Sequence, residues 1–419
     1  MKTSRRQFIT RCTGCLSALA TSRLTNVVLA GPKVSRTPQT LVIISLRGGL
    51  DSLNLVGPAG DADYIAARPN ELRIAEDGDQ KGLDLGKWDG QSFMLHPAAA
   101  PLFELYQQKH LGMIHACGLT NGTRSHFEAM DLMERGVADM KDKHLATGWL
   151  ARYLAVNESH SIIPGAAIGG NLPTSLLGSP WAYSLSSPQD FALSAGEELE
   201  SLLRSFHQSD GSVEKCGQGA LKALKAVRSK LPRDENGNPR PYEPEKNANY
   251  PNDGNNGLGA SLKSLAQLLK MDVGLEVATV EMGGFDTHEN QPNTLPNLLT
   301  ELSQSLHGFW NDVAAFHQRL TVVVVSEFGR RVKSNESSGT DHGLGGLCLV
   351  LGGQVKGGRL LGQWPGLATE KLDDSADLAV TTDYRGVLSE VLTHNGLLKD
   401  QLAAVLPGYK IQKPLGLFA

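Results

Sequence analysis

Apolar runs of five to seven residues recur along this chain, and between several of them lie segments whose apolar residues return every three or four positions. The first run, Thr40-Leu41-Val42-Ile43-Ile44-Ser45-Leu46, is apolar almost without interruption, as a strand buried on both faces requires. Leu111–Ala116, Leu275–Glu281, Leu320–Ser326 with its four consecutive valines, and Leu347–Leu351 read as further strands. Helices are predicted at Ala98–Gln108, Leu295–Phe316 and Tyr384–His394. In the second of these, Leu295, Leu298, Leu299, Leu302, Leu306, Phe309, Trp310, Val313 and Phe316 keep to one face, the pattern of a core-facing crossover between two strands. Strands alternating with helices predict an α/β fold, a three-layer sandwich around a mostly parallel central sheet. Residues 60–95, polar and rich in Gly and Asp, and residues 232–258, rich in Asn, Gly and Pro, interrupt this alternation. They read as insertions in a single domain spanning 31–419.

The first thirty residues stand apart. Lys2, Arg5 and Arg6 make a basic start, and Ser4-Arg5-Arg6-Gln7-Phe8-Ile9-Thr10 has the form of a twin-arginine export motif. A modest apolar stretch follows, and Val28-Leu29-Ala30 offers a cleavage site. Arg11 and Arg23 interrupt that stretch, so it is too short and too charged to anchor the chain in a membrane. The expectation is an export signal at 1–30, the twin-arginine translocase as a partner in transit, and a periplasmic or extracellular destination.

Charge and cysteine narrow the partners. The signal holds five of the 40 bases and none of the 44 acids, which leaves the remainder at a net −9. A chain so acidic gains nothing from a phosphate backbone, and nucleic acid is excluded as a partner. Cys117, Cys216 and Cys348 remain after residue 30, an odd number, so no disulfide framework is expected.

Four short segments carry metal-capable or reactive side chains just where strands end, the place where open α/β sheets bind ligands. Arg47-Gly48-Gly49-Leu50-Asp51 follows the first strand, and Asp51 reads either as a cap on local backbone or as a ligand brought to the sheet edge. In Gly122-Thr123-Arg124-Ser125-His126-Phe127-Glu128, Ser125 and Glu128 have capping-box spacing. The Ser125 hydroxyl at a helix start would also face an anion favoured by the free N–H groups there, and either Arg124 or Arg47 could clamp such a group. Gly284-Phe285-Asp286-Thr287-His288 sets an acid and an imidazole two residues apart on a glycine loop, a pair that can share one cation. Last come Ser326-Glu327-Phe328-Gly329-Arg330 and Thr340-Asp341-His342-Gly343. Glu327 closes a fully apolar strand, which is costly unless the carboxylate is partnered or metal-bound. His342 reads either as a hydrogen-bonded turn residue or as a ligand.

The order strand-Asp, helix-start hydroxyl, Asp-x-His, strand-carboxylate and late His resembles the alkaline phosphatase superfamily, which includes the sulfatases. With the twin-arginine start, the five motifs are similar to one exported branch, catalogued as domain of unknown function 1501. The resemblance implies an alkaline-phosphatase-like fold. It implies one divalent ion on Asp51 and Glu327 beside Ser125 as nucleophile, a second on Asp286, His288 and His342, and Thr123 as the substitute nucleophile. Phe328 stands where alkaline phosphatases have a histidine ligand, so the first site would be all oxygen and favour Ca, Mg or Mn over Zn. The formylglycine signature of sulfatases is missing. The expected function is a metal-dependent hydrolase or transferase acting on a phosphate or related ester in the cell envelope. The alternative is a non-enzymatic envelope protein of the same fold that binds a partner protein.

Overall fold

The structure is a computed structural model that describes residues 39–418 apart from 79–80, 143, 159–160, 190, 192–195, 210 and 252–256. The expected export signal lies outside the described residues. The strands are β1 (Thr40–Leu46), β2 (Val56–Gly57), β3 (Leu83–Trp88), β4 (Gln91–Leu95), β5 (Leu111–Gly118), β6 (Gly165–Ile168), β7 (Ala182–Leu185), β8 (Val277–Met282), β9 (Leu320–Ser326), β10 (Gly346–Gly352), β11 (Arg359–Leu361) and β12 (Thr382–Asp383). Nine of them form one sheet in the order β11-β5-β10-β9-β1-β8-β6-β7, with β12 added beside β5. Every pairing in it is parallel except those of β10 with β5 and β9.

The unbroken apolar run of β1 has its physical reason in the two layers that cover it. Val42, Ile44 and Leu46 face one core, with Leu262 and Leu265 of the helix Leu258–Lys270 and with Leu295, Leu299, Leu302 and Leu306 of the helix Gln291–Asp312. Leu41 and Ile43 face the other, with Leu132 of the helix His126–Arg135, Leu150 of Trp149–Val156 and Leu388 of Tyr384–His394. Fully burying one such side chain contributes roughly 1.5–3 kcal/mol, and the alternation along a single strand holds both helical layers. The predicted three-layer α/β sandwich is the observed one.

Three departures from the predicted elements have local causes. The crossover helix starts earlier, at Gln291, after Asn290 takes the left-handed conformation (φ 52°), and its predicted last turn is a 3-10 helix, Ala314–Arg319. Strands β6 and β7 have small or polar residues and no strong apolar run. Strand β10 runs backwards because residues 327–345 connect it to β9 with no crossover helix, so the chain turns back at the edge where β9 ended. That reversal brings His342, just before β10, to the edge where β1, β5, β8 and β9 end.

The two interrupting regions are attached differently. Strand β4 pairs with β2 on one side and β3 on the other as a separate three-stranded sheet. The polar excursion from 232 is fastened by Asp312, whose buried carboxylate accepts from Tyr242 and Tyr250 hydroxyls, the Glu245 backbone N–H at 2.9 Å and Lys270 Nζ at 2.8 Å. Among the described residues no helix is long and apolar enough to cross a membrane.

Candidate metal centre

The strand-end loops approach each other closely, and glycine allows it. Gly48 has φ +119°, and a Cβ there would stand 2.4 Å from the Asp286 backbone nitrogen. Gly339 likewise passes the His288 carbonyl, where a Cβ would lie 2.3 Å away. Any side chain at either position would push the loops apart.

Arg330 ties these loops together. Its fully buried guanidinium donates through Nε to Gly49 O (2.7 Å), through Nη1 to Thr340 O (2.6 Å), and through Nη2 to Gly48 O, Phe285 O (3.0 Å) and Asp286 Oδ1 (2.5 Å). The buried charge is thereby satisfied by four carbonyls and one carboxylate, as a low-polarity setting demands.

Three imidazoles converge on Asp286. Each has its Nδ1 against an acceptor that cannot donate: His126 against Glu327 Oε1 at 2.8 Å, His288 against Asp341 Oδ1 at 3.0 Å, and His342 against the Arg124 carbonyl at 3.0 Å. Each Nδ1 therefore carries the hydrogen, and in the neutral ring each Nε2 presents a lone pair. Those lone pairs meet one another. His288 Nε2 and His342 Nε2 are 2.9 Å apart, and both lie 3.0 Å from Asp286 Oδ1. His126 Nε2 is out of solvent with no hydrogen-bond partner, 3.5 Å from Asp286 Oδ2.

Acceptors aimed at acceptors repel unless a cation stands among them. Nitrogen and oxygen ligands ~2.0–2.2 Å from a tetrahedral metal ion are themselves roughly 3.3 Å apart, close to the separations found here. The ligand atoms of His126, Asp286 and His342 all lie within 4.8 Å of one another. Glu327, Asp341 and the Arg124 carbonyl then stand as the outer partners that fix ring orientation at metal sites. The donor set fits a divalent ion.

The electrostatics favour an ionised Asp286. Burial raises the Asp286 pKa, but the buried guanidinium of Arg330 against it outweighs this and holds the carboxyl at about 2. Hydrogen bonds from His288 and Asn335 hold Asp341 below its ordinary range. Burial lowers His342 despite the pull of Asp286.

The residues singled out in the sequence separate into two groups. Asp286, His288 and His342 come together, and Glu327 reaches the cluster through His126. Glu327 is buried and also accepts from Gly48 N at 2.8 Å and Ser326 Oγ at 3.1 Å, which accounts for an acid at the end of an apolar strand. Asp51, expected beside Glu327 on one ion, is engaged elsewhere: Arg68 holds it at two points, and Gln291 Nε2 donates to it at 2.6 Å. The two arginines expected to clamp an anion are already paired, Arg47 with Glu134 and Glu281, Arg124 with Asp377 at 2.6 Å.

Ser125 is exposed at the N-terminus of the helix His126–Arg135 and makes no side-chain capping bond. His126 was not among the expected donors, because the spacing of Ser125 and Glu128 explains that segment as a helix start. Its one signal is adjacency, an imidazole next to the candidate nucleophile.

No curated protein sequence matches the chain. Among solved structures the fold is similar to the integral membrane protein lipooligosaccharide phosphoethanolamine transferase A (EptA) from Neisseria meningitidis, at 9% identity and TM-score 0.36, over 83% of this chain and 55% of that one. The chain thus spans little more than half the transferase's length. It is also similar to alkaline phosphatase from the Antarctic bacterium TAB5, at 12% identity and TM-score 0.32, over 90% of this chain and 100% of that one. A third is Ps i-CgsB, solved in complex with k-i-k-neocarrahexaose, at 10% identity and TM-score 0.31, over 87% of this chain and 74% of that one. Residues 225–396 match the model of a family described as "Protein of unknown function (DUF1501)".

Proposed function

We propose that this chain is a metal-dependent hydrolase or transferase acting on a phosphate or related ester in the cell envelope. The observation that carries the reading is the convergence of three imidazole lone pairs on one carboxylate, with all three Nδ1–H groups spent outward. His126, Asp286 and His342 would hold one divalent ion, with His288 beside Asp286 and His342 as a further donor. Nitrogen-rich donors suit zinc or another first-row ion better than Ca or Mg, which take oxygen ligands. When bound, such an ion would polarise a phosphoryl oxygen and favour the ionised form of a neighbouring hydroxyl.

The chain's own groups supply the rest. Ser125 precedes the ligand His126 directly, is exposed, and has a hydroxyl not spent on a cap. The helix N-terminus behind it offers N–H groups to an anion. Arg47 and Arg124 are neutralised by acids, so substrate charge would be met by the ion and the helix terminus. The Arg5-Arg6 motif supports a periplasmic or extracellular location.

Metal content of the purified protein, with a His126→Ala/His342→Ala variant and a Ser125→Ala variant alongside, tests this. Near-stoichiometric ion, lost in the double variant and kept in Ser125→Ala, together with phosphate- or sulfate-ester turnover lost in both, is the expected result. Absence of metal in the parent protein would overturn the reading. A second reading, a metal-bearing envelope protein that binds a partner, is favoured by one observation: His288 Nε2 also lies 3.0 Å from Asp286 Oδ1, and a fourth protein donor would close the shell as in structural sites. Bound metal with no turnover of any ester would select it.

A further inference from the structure

We propose that the consecutive helices Gly196–Phe206 and Ser212–Lys230 form a docking surface for an anionic phospholipid membrane. The two helices pack on each other, and Gln218 Nε2 reaches back to His207 O at 2.6 Å. Leu221, Ala223 and Val227 of the second helix are buried, and Ala223 and Val227 join the main core. Its opposite side therefore faces solvent, and Lys215, Lys222, Lys225 and Arg228 stand exposed there.

Charge divides along this stretch of the chain: Glu197, Glu198, Glu200, Asp210 and Glu214 precede residue 215, and most of the bases gather from there on. Between 215 and 233 there are six bases and no acid, in a chain whose residues after 30 carry a net −9. A local cationic stripe on an acidic protein orients it. Within a Debye length, about 8–10 Å at physiological salt, this face is drawn to anionic headgroups. A cleft of about 660 Å³ between the helices is lined by Arg204, Lys225, Arg228 and Arg233, with Glu200 paired to Arg204 at its side. Phosphate headgroups are the anions such a cleft suits.

Apolar exposure distinguishes a membrane from a soluble polyanion. Leu202, Phe206 and Val213 are 51%, 67% and 62% exposed, the first two one turn apart in the first helix and the third at the start of the second. A polysaccharide or an acidic protein tail would leave them wet, whereas the headgroup–acyl boundary would bury them beside the basic side chains.

Co-sedimentation of the full chain with vesicles of phosphatidylglycerol or of phosphatidylcholine, at low and high salt, tests the surface. Two variants run beside it, Lys215→Glu/Lys222→Glu/Lys225→Glu and Leu202→Ser/Phe206→Ser/Val213→Ser. The parent protein should bind phosphatidylglycerol, weakly or not at all phosphatidylcholine, and release with salt. The charge variant should bind roughly tenfold or more weakly, and the serine variant several-fold more weakly, with thermal midpoints close to the parent's. Equal binding to both vesicles, or binding untouched by charge reversal, would overturn the proposal. A serine variant that binds like the parent would overturn it in favour of a soluble polyanion.

Discussion

Arg68 grips Asp51 at two points, Nη1 to Oδ2 at 2.6 Å and Nη2 to Oδ1 at 3.0 Å, with both side chains out of solvent. Gln291 completes the shell around the carboxylate, and its own Oε1 accepts from the hydroxyls of Thr287 and Thr340. This acid joins β1 to the insertion that follows it and to the start of the crossover helix.

Asp51→Asn should therefore act on stability and leave the metal in place. A buried guanidinium left without its carboxylate costs roughly 3–5 kcal/mol, readable as a lower urea midpoint. Metal content at a temperature where the variant is folded should equal the parent's. A folded variant without metal would make Asp51 a ligand.

Glu327→Gln keeps an oxygen for the Gly48 N–H and for His126 but removes the charge that orients this ring. Loss of an outer carboxylate of this kind lowers metal affinity about 10–100-fold. Titration against a competing chelator should give a weaker but saturable site. Complete loss of binding would assign Glu327 to the ion directly.

Asp312→Ala removes the acceptor shared by Tyr242, Tyr250, Lys270 and the Glu245 N–H. The charge of Lys270 keeps only Glu245, and the excursion loses its buried fastening. Limited proteolysis should cut near 240–250 much faster, while the sheet resists. Unchanged cleavage would mean that other contacts hold this segment.

The pH dependence of stability should carry the mark of His115. The ring is fully buried between the Val56 carbonyl and the Ala116 N–H, and burial drops its pKa from 6.5 to about 4. The unfolded chain binds the extra proton between those values, so stability is complete above pH 6.5 and is lost as pH falls toward 4. The shift corresponds to about 3 kcal/mol. His115→Gln should flatten the urea midpoint's slope across that window; an identical slope would refute the assignment.

The layers of this fold are legible in the sequence because β1, β9 and the crossover helix are written in side chains that must be buried, and burial has a period. The loops at their ends are legible because Gly48, Gly339 and Asp286 have few other uses at such places. What the chain order hides is pairing. Nothing in the spacing of Asp51 reveals that Arg68 neutralises it, or that Asp377, 253 residues away, neutralises Arg124. His126 is hidden for the opposite reason: a capping pattern already accounts for its segment. The reversal of β10 is not written in its apolar run, since the same run serves a parallel or an antiparallel neighbour.

Arg330 has a consequence for how the centre comes into being. Its five hydrogen bonds recruit loops that follow β1 and β8 and the turn before β10, stretches separated by more than two hundred residues. Residues 285–340 hold three of those bonds, and the two to Gly48 and Gly49 form only once β1 stands in register, so the full set gathers when the sheet has closed. Full affinity for an ion at this centre would thus arrive late in folding. A fragment spanning 284–345 would keep Asp286, His288 and His342 but lack His126, Gly48 and Gly49, so comparing its ion uptake with that of the whole chain would time sheet closure.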